Sequence, residues 1–198
     1  MPLFLIVSAT FIAGAEPYVT TLRPSLDVWD VGSADIDGDA RMDIVAVCSG
    51  EDGKKKSVAV FLGTPLGTFA SEPTLNLDLP PESGAVFLSE VDGKPGNEIV
   101  ATRAIGAKVF AYSEGKFIQT RETSFASVLP SGSKEPLLMQ NVSIDLDGDG
   151  IDEWLIPGLE QYEIRNADGL IRQAPAKLTS ELRAYANMTV RHMLPAIQ

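Results

Sequence analysis

The sequence DLDGDGIDEWLIP, residues 145–157, places five acidic side chains directly before an apolar run. Carboxylates crowded in this way repel one another unless hydrogen bonds or a cation hold them together. Two other stretches have the same layout: DIDGDARMDIVAV begins at residue 35, and EVDGKPGNEIVAT begins at residue 90. The three starts are spaced by 55 residues, and this constant period indicates a repeated structural unit.

Each repeat contains about four short strand patterns and almost no helical pattern. The apolar run after each acidic loop is partly β-branched and too short for a helix, and glycine-containing turns separate the strand patterns that follow. We therefore predict an all-β fold, a partial β-propeller of about three four-stranded blades plus the start of a fourth. A β-sandwich is the alternative fold, but its strands would not be expected to return the same loop at a constant spacing.

The repeat spacing also predicts how the chain is divided. The predicted segments are an N-terminal lead-in or outer strand at 16–25, blades at 26–80, 81–135 and 136–186, and the first strand of a truncated fourth blade at 187–198. The period would place a fourth loop at position 200, just past Gln198. Because an open ring leaves strand edges bare, we expect the rest of a longer chain or another subunit to supply the missing blades.

Residues 1–15 are predicted to be a signal peptide. The apolar run at residues 3–13 leads into Ala13, Gly14 and Ala15, a small-residue pattern typical of a cleavage site. No Lys or Arg precedes Arg23, so an outer β-strand is the alternative interpretation. The run is too short to span a bilayer. We expect a secreted protein, extracellular or periplasmic.

Composition limits the possible partners. The chain has 16 basic and 27 acidic residues, a net charge of -11, which disfavours nucleic acids and anionic membranes and favours cations. The single cysteine, Cys48, excludes an internal disulfide. It lies in an apolar run, so we predict a buried, unreactive thiol.

The acidic loops are predicted to bind calcium. Alternating carboxylates, a glycine that allows a sharp turn and a fourth acid at the ninth position can converge on one cation. Calcium takes roughly six to eight hard oxygen ligands in irregular geometry, whereas magnesium prefers a small, water-rich shell and zinc prefers His or Cys. The predicted ligands, with the backbone carbonyls of Arg41 and Ile151 included, are Asp35, Asp37, Asp39, Arg41, Asp43, Asp145, Asp147, Asp149, Ile151 and Glu153. Acidic surface turns without a metal are the alternative.

The middle loop departs from this pattern. Lys94 stands where the other loops have Asp39 and Asp149, so a positive charge enters the ligand cluster. We predict that this loop is metal-free and that the Lys94 ammonium, or hydrogen bonds of the turn, replaces the ion. The acids beside it are Glu90, Asp92 and Glu98. In the third loop, Asp152 lies one position off the ligand pattern and is predicted to be a solvated turn residue.

The loops resemble the FG-GAP repeats, also called VCBS-type repeats, of integrin α-subunit propellers and many secreted bacterial proteins. The shared pattern is roughly D-x-[DN]-G-D-G-x-x-D followed by a hydrophobic strand, and it covers about residues 26–198. The third loop is close to this pattern, the first has Ala40 in place of its second glycine, and the middle loop is degenerate. The resemblance implies a seven-bladed propeller with calcium on one face and an extracellular role in adhesion or recognition.

Two classes of function remain open. One is a non-catalytic, calcium-stabilised scaffold that binds an extracellular protein or glycan. The other is a propeller-based polysaccharide lyase or hydrolase, for which the sequence shows no catalytic constellation. His192, the only histidine, is predicted to be structural. Four aromatic residues could form a glycan platform or belong to the core: Trp29, Tyr112, Trp154 and Tyr162.

Overall fold

The computed structural model describes residues 5–9, 18–130, 132, 136–158 and 161–175. Within these ranges the fold is all-β and contains no helix, as the sequence predicts. Three sheets of four or five strands form the body, and a separate two-stranded sheet precedes them. The predictions for residues 187–198 and for His192 lie outside the described residues.

Sheet 1 contains four antiparallel strands in chain order. They are β3 (Asp27–Ala34), β4 (Asp43–Ser49), β5 (Lys56–Phe61) and β6 (Leu75–Leu79). Strand β4 is buried along its whole length, whereas β6 alternates between buried leucines and exposed polar residues. This difference fits the positions of the strands, because β4 lies inside the sheet and β6 lies at its edge.

Sheet 2 contains five strands rather than the four that the repeat predicts. They are β7 (Ala85–Ser89), β8 (Glu98–Thr102), β9 (Ile105–Ser113), β10 (Lys116–Ala126) and β11 (Leu138–Met139). The short β11 pairs parallel with β7, although the repeat assigns residues 138–139 to the third unit. The buried Leu137 precedes β11, and its N–H donates to Ser49 Oγ of sheet 1 at 3.0 Å.

Sheet 3 is again a four-stranded antiparallel sheet in chain order. Its strands are β12 (Ser143–Ile144), β13 (Glu153–Pro157), β14 (Gln161–Asn166) and β15 (Gly169–Pro175). The hairpin between β14 and β15 turns at Asn166, whose side-chain oxygen accepts the N–H groups of Asp168 and Gly169. Such side-chain acceptance stabilises a tight turn.

The three sheets pack face to face, with sheet 2 in the middle. One face of sheet 2, including Val86 and Ile99, packs against Val45 and Val58 of sheet 1. The opposite face of sheet 2 packs against sheet 3, where Trp154 is fully buried. Both faces of sheet 2 are therefore covered, which accounts for the uninterrupted burial of β8.

The N-terminal residues form the separate two-stranded sheet. Strand β1 (Leu5–Ala9) pairs antiparallel with β2 (Tyr18–Leu22). Leu22 is buried and packs on the outer face of sheet 1 together with Cys48, whose burial confirms the prediction from the sequence. Burial raises the pKa of the Cys48 thiol to about 12. The pairing of β1 corresponds to the strand alternative, and removal of residues 1–15 as a signal peptide stays a prediction.

Candidate metal centre

The three acidic loops occupy the same position in the three sheets. Loop 1 (residues 35–43), loop 2 (residues 90–98) and loop 3 (residues 145–153) each join the first two strands of a sheet in chain order. In each loop the ninth residue is a buried acid that accepts the N–H of the second residue. The bonds are Ile36 N to Asp43 Oδ2 at 2.8 Å, Val91 N to Glu98 Oε2 at 2.9 Å, and Leu146 N to Glu153 Oε2 at 2.9 Å.

The first acid of each loop collects backbone N–H groups from the turn. Asp35 accepts from Gly38 and Ala40, and Asp145 accepts from Gly148 and Gly150 at the corresponding positions. The turn requires a left-handed residue at the fourth position, where Gly148 has a φ of 82°. A residue without a Cβ adopts this conformation without steric cost. Backbone N–H groups thus stabilise part of the negative charge of each loop.

Carboxylate oxygens converge in all three loops. In each case three acids place one oxygen apiece within 4.8 Å of one another. The groups are Asp35, Asp37 and Asp39 in loop 1, Glu90, Asp92 and Glu98 in loop 2, and Asp145, Asp147 and Glu153 in loop 3. Two predicted ligands, Asp43 and Asp149, are not in these groups. Both oxygens of Asp43 already accept backbone N–H groups, from Ile36 and Gly63.

Loop 1 contains a buried oxygen without a partner. Asp37 Oδ1 is shielded from solvent and accepts no hydrogen bond from the described residues. Burial, followed by repulsion from Asp43 and Asp35, raises the pKa of Asp37, and the nearby Arg41 only partly opposes this shift. The Arg41 guanidinium pairs with Asp39 instead. A cation beside Asp37 would therefore remove an unfavourable interaction.

Loop 2 carries its own positive charge. Lys94 Nζ pairs with Asp92 Oδ2, and Lys94 N donates to Asp92 Oδ1 at 3.0 Å. Burial alone would raise the pKa of Asp92, but the hydrogen bonds and charge of Lys94 lower it below its ordinary value. The third loop position therefore has a direct basic partner in loop 2, where Lys94 pairs with Asp92, whereas in loop 1 Arg41 pairs with Asp39 rather than with Asp37.

Loop 3 is the most exposed of the three. Asp145 and Asp147 are exposed, whereas Glu153 is buried. Among the residues that the structure describes, no basic side chain forms an ion pair with an acid of this loop. Loop 3 therefore combines a nearly complete set of acids with no internal cation.

The donor set could hold a hard metal ion. The converging atoms are carboxylate oxygens only, which are hard ligands, and the loops contain neither His nor Cys. The unpartnered Asp37 Oδ1 is an oxygen that such an ion could contact. The carbonyls of Arg41 and Ile151 stay predicted ligands.

The prediction for Asp152 is wrong. Its Oδ2 accepts the N–H of Glu90 at 2.9 Å and the hydroxyl of Ser143 at 2.9 Å, so Asp152 bridges loops 2 and 3. The backbone N–H of Asp152 also donates to Glu90 O at 2.8 Å. Asn97, at the same loop position, likewise donates to Asp35 O of the preceding loop at 2.6 Å. Both pairs are separated by 62 residues in the sequence. This regular spacing could have indicated the contact, but it becomes visible only when neighbouring loops are known to lie side by side.

The aromatic candidates do not form a common surface. Trp154 belongs to the core, packs edge-on against Phe87 and donates its indole N–H to Ser89 Oγ at 2.8 Å. Trp29 is 53% exposed and lies at a β-bulge of β3. Tyr112 packs against the core between sheets 1 and 2, and Tyr162 is half-buried in sheet 3.

The chain matches no protein-family model, and no curated protein shows significant similarity to it. Among the described residues, none belongs to a helix that is long and apolar enough to cross a membrane.

Proposed function

We propose that the chain is a secreted, calcium-stabilised β-propeller scaffold that recognises an extracellular protein or a glycan. The observation that carries the calcium part is Asp37 Oδ1, a buried carboxylate oxygen without a partner beside two other acids. Such a group is costly in a folded protein unless a cation or a donor compensates it. Loops 1 and 3 each hold one ion in this proposal.

The order of the sheets supports the propeller. Strand β12 of sheet 3 lies beside β7 of sheet 2, and β10 of sheet 2 lies beside β6 of sheet 1. The first strands of sheets 2 and 3 therefore neighbour each other, β3 of sheet 1 lies beside β11 of sheet 2, and the outer strands β10 and β6 are also neighbours. Such contacts are expected of blades that fan around an axis. Each acidic loop joins the first two strands of its sheet. In the proposed ring, all of them face the same side.

Calcium would act as a structural ligand. Its site is assembled only when the loop folds, so the free energy of binding adds to the free energy of folding. The strongly acidic composition agrees with a cation-dependent protein. Recognition rests on the resemblance of the loops to adhesion and recognition propellers, with the partner contacting surfaces that the calcium loops hold rigid.

Calorimetric titration of the 198-residue chain tests the calcium proposal directly. We expect two ions per chain and a chelator-sensitive melting temperature, with weak or no response to magnesium. Asp37→Asn and Asp147→Asn should each remove one ion, whereas the exposed Asp78→Asn should remove none. A stoichiometry of zero, or equal binding by all three variants, would defeat the proposal.

The recognition role needs a separate measurement. Calcium-loaded protein is applied to immobilised extracellular-matrix proteins and to a panel of polysaccharides, and the binding is repeated in a chelator. Binding that disappears with calcium supports the scaffold. Release of shortened or unsaturated sugar products from a polysaccharide would instead favour the lyase or hydrolase alternative.

A further inference from the structure

Among the differences between loop 2 and the other two loops, two stand at consecutive positions of the turn. The fifth residue is Lys94, where the other loops have Asp39 and Asp149. The sixth residue is Pro95, where they have Ala40 and Gly150. These two positions alter the charge and the backbone of the loop, respectively.

The charge change supplies a cation from within the chain. Lys94 contacts both oxygens of Asp92, one through Nζ and the other through its backbone N–H. Glu98 Oε2 accepts the Val91 N–H, and Glu90 Oε1 accepts the N–H of Gly93 at 2.8 Å. Every acid of the loop 2 group therefore has a partner, whereas Asp37 Oδ1 of loop 1 has none among the described residues.

The backbone change removes part of the turn that the other loops share. In loops 1 and 3 the sixth residue is left-handed, with φ of 63° at Ala40 and 85° at Gly150, and its N–H donates to the first acid. Proline has no N–H and a φ near about -65°. The left-handed residue of loop 2 is Gly96 instead, one position later, with φ of 105°.

The altered turn packs tightly against loop 1. A Cβ added to Gly38 would lie 2.6 Å from the Pro95 carbonyl oxygen, and one added to Gly96 would lie 2.9 Å from the Ile36 carbonyl oxygen. The other end of loop 2 is tied to loop 3 through Asp152. Loop 2 thus lies between the two proposed calcium loops and contacts both.

We propose that loop 2 connects loops 1 and 3 without binding calcium. Lys94 replaces the ion, and Pro95 replaces the metal-binding turn. These two residues therefore determine which loops bind calcium. This inference rests on the proposed function, because it assigns the ions to loops 1 and 3. The proposal implies that calcium binding can be added to loop 2 or removed from another loop by substituting residues at these positions.

Reciprocal substitutions test the inference by calcium stoichiometry. The double variant Lys94→Asp/Pro95→Gly should bind three ions per chain, one more than the wild type. Asp149→Lys places a lysine in loop 3 as in loop 2, and it should bind one ion. Matched charge changes at exposed sites, Lys116→Asp and Glu72→Lys, should leave the stoichiometry at two.

The possible outcomes separate the inference from the proposed function. Three ions in the wild type overturn the inference while calcium binding survives. A folded double variant that still binds two, or an Asp149→Lys variant that still binds two, also overturns it. Should the double variant fail to fold, the Asp149→Lys stoichiometry decides. No binding by the wild type defeats the proposed function, and the inference falls with it.

Discussion

Asp152 and Glu90 exchange two hydrogen bonds between loop 3 and loop 2. The Asp152 N–H donates to the Glu90 carbonyl at 2.8 Å, and the Glu90 N–H donates to Asp152 Oδ2 at 2.9 Å. The same carboxylate accepts the Ser143 hydroxyl, which also contacts Ser89. A residue between two predicted ligand positions of loop 3 therefore holds neighbouring sheets together.

Asp152→Ala should destabilise the protein, because it leaves the Glu90 N–H and the Ser143 hydroxyl without this acceptor. We expect a loss of about 1–3 kcal/mol in the free energy of unfolding, measured with urea in a chelator. Met42 occupies the same position in loop 1, where its side chain is 57% exposed, so Met42→Ala should change stability by about 0.5 kcal/mol or less. Equal effects of the two substitutions would contradict a bridging role for Asp152.

Asp37→Asn should have opposite effects with and without calcium. In a chelator, the variant should melt at a higher temperature than the wild type, because it removes a carboxylate whose raised pKa reports burial and repulsion. With calcium, it should lose about half of the calcium-dependent gain in melting temperature, since one of two proposed sites is lost. Differential scanning calorimetry of the variant and the wild type, with calcium and with a chelator, checks both expectations. A variant that is less stable than the wild type in the chelator would contradict the first.

Glu98 should make stability depend on pH. Burial, opposed by the hydrogen bond from Val91 N and reinforced by the charges of Asp92 and Glu90, raises the pKa of Glu98 from 4.5 to about 7. Because the folded state holds this proton more tightly, its contribution to stability is full below about pH 4.5 and is lost as pH rises through about 7. The stability of Glu98→Gln relative to the wild type should therefore increase over this window.

Urea unfolding in a chelator between about pH 4.5 and pH 8 measures this difference. Glu122→Gln is the control, because the hydrogen bond from Arg103 lowers the pKa of Glu122. Its relative stability should stay constant in this window and change only at more acidic pH, where the wild type loses the contribution of Glu122. A pH-independent difference for Glu98→Gln would count against the raised pKa.

The two tryptophans should differ in their contribution to stability. Trp154 is fully buried between sheets 2 and 3, so Trp154→Ala should cost about 3–5 kcal/mol in the free energy of unfolding. Trp29 is 53% exposed, and Trp29→Ala should cost far less. Urea unfolding followed by circular dichroism compares them. Similar losses would mean that the packing of sheet 3 on sheet 2 is not maintained in solution.

Much of the candidate site follows from local sequence. The alternating acids, the turn glycines and the apolar runs after each loop predict three similar loops feeding strands, and the structure contains them at the expected positions. Lys94 also has its predicted partner, because a charge two residues from Asp92 in a tight turn has little choice of contact. These features depend on neighbours close in the chain.

Other features depend on partners that the sequence places far away. Asp152 contacts Glu90 across 62 residues, and Leu137 contacts Ser49 across 88. The short β11 pairs with β7 of sheet 2, and Leu137 directly before it contacts sheet 1. Asp43 likewise has a distant partner, because its Oδ1 accepts the N–H of Gly63, 20 residues away.

Local sequence is sufficient to predict that this protein is all-β, that its acidic loops recur every 55 residues, and that Cys48 is buried. Periodicity, composition and turn chemistry encode these properties within a few neighbouring residues. The folded arrangement of the sheets is needed to show which carboxylates converge, which tryptophan is buried and how one loop contacts the next. These outcomes depend on the packing of sheets against each other, and hydrogen-bond partners across that packing are not encoded in any local pattern.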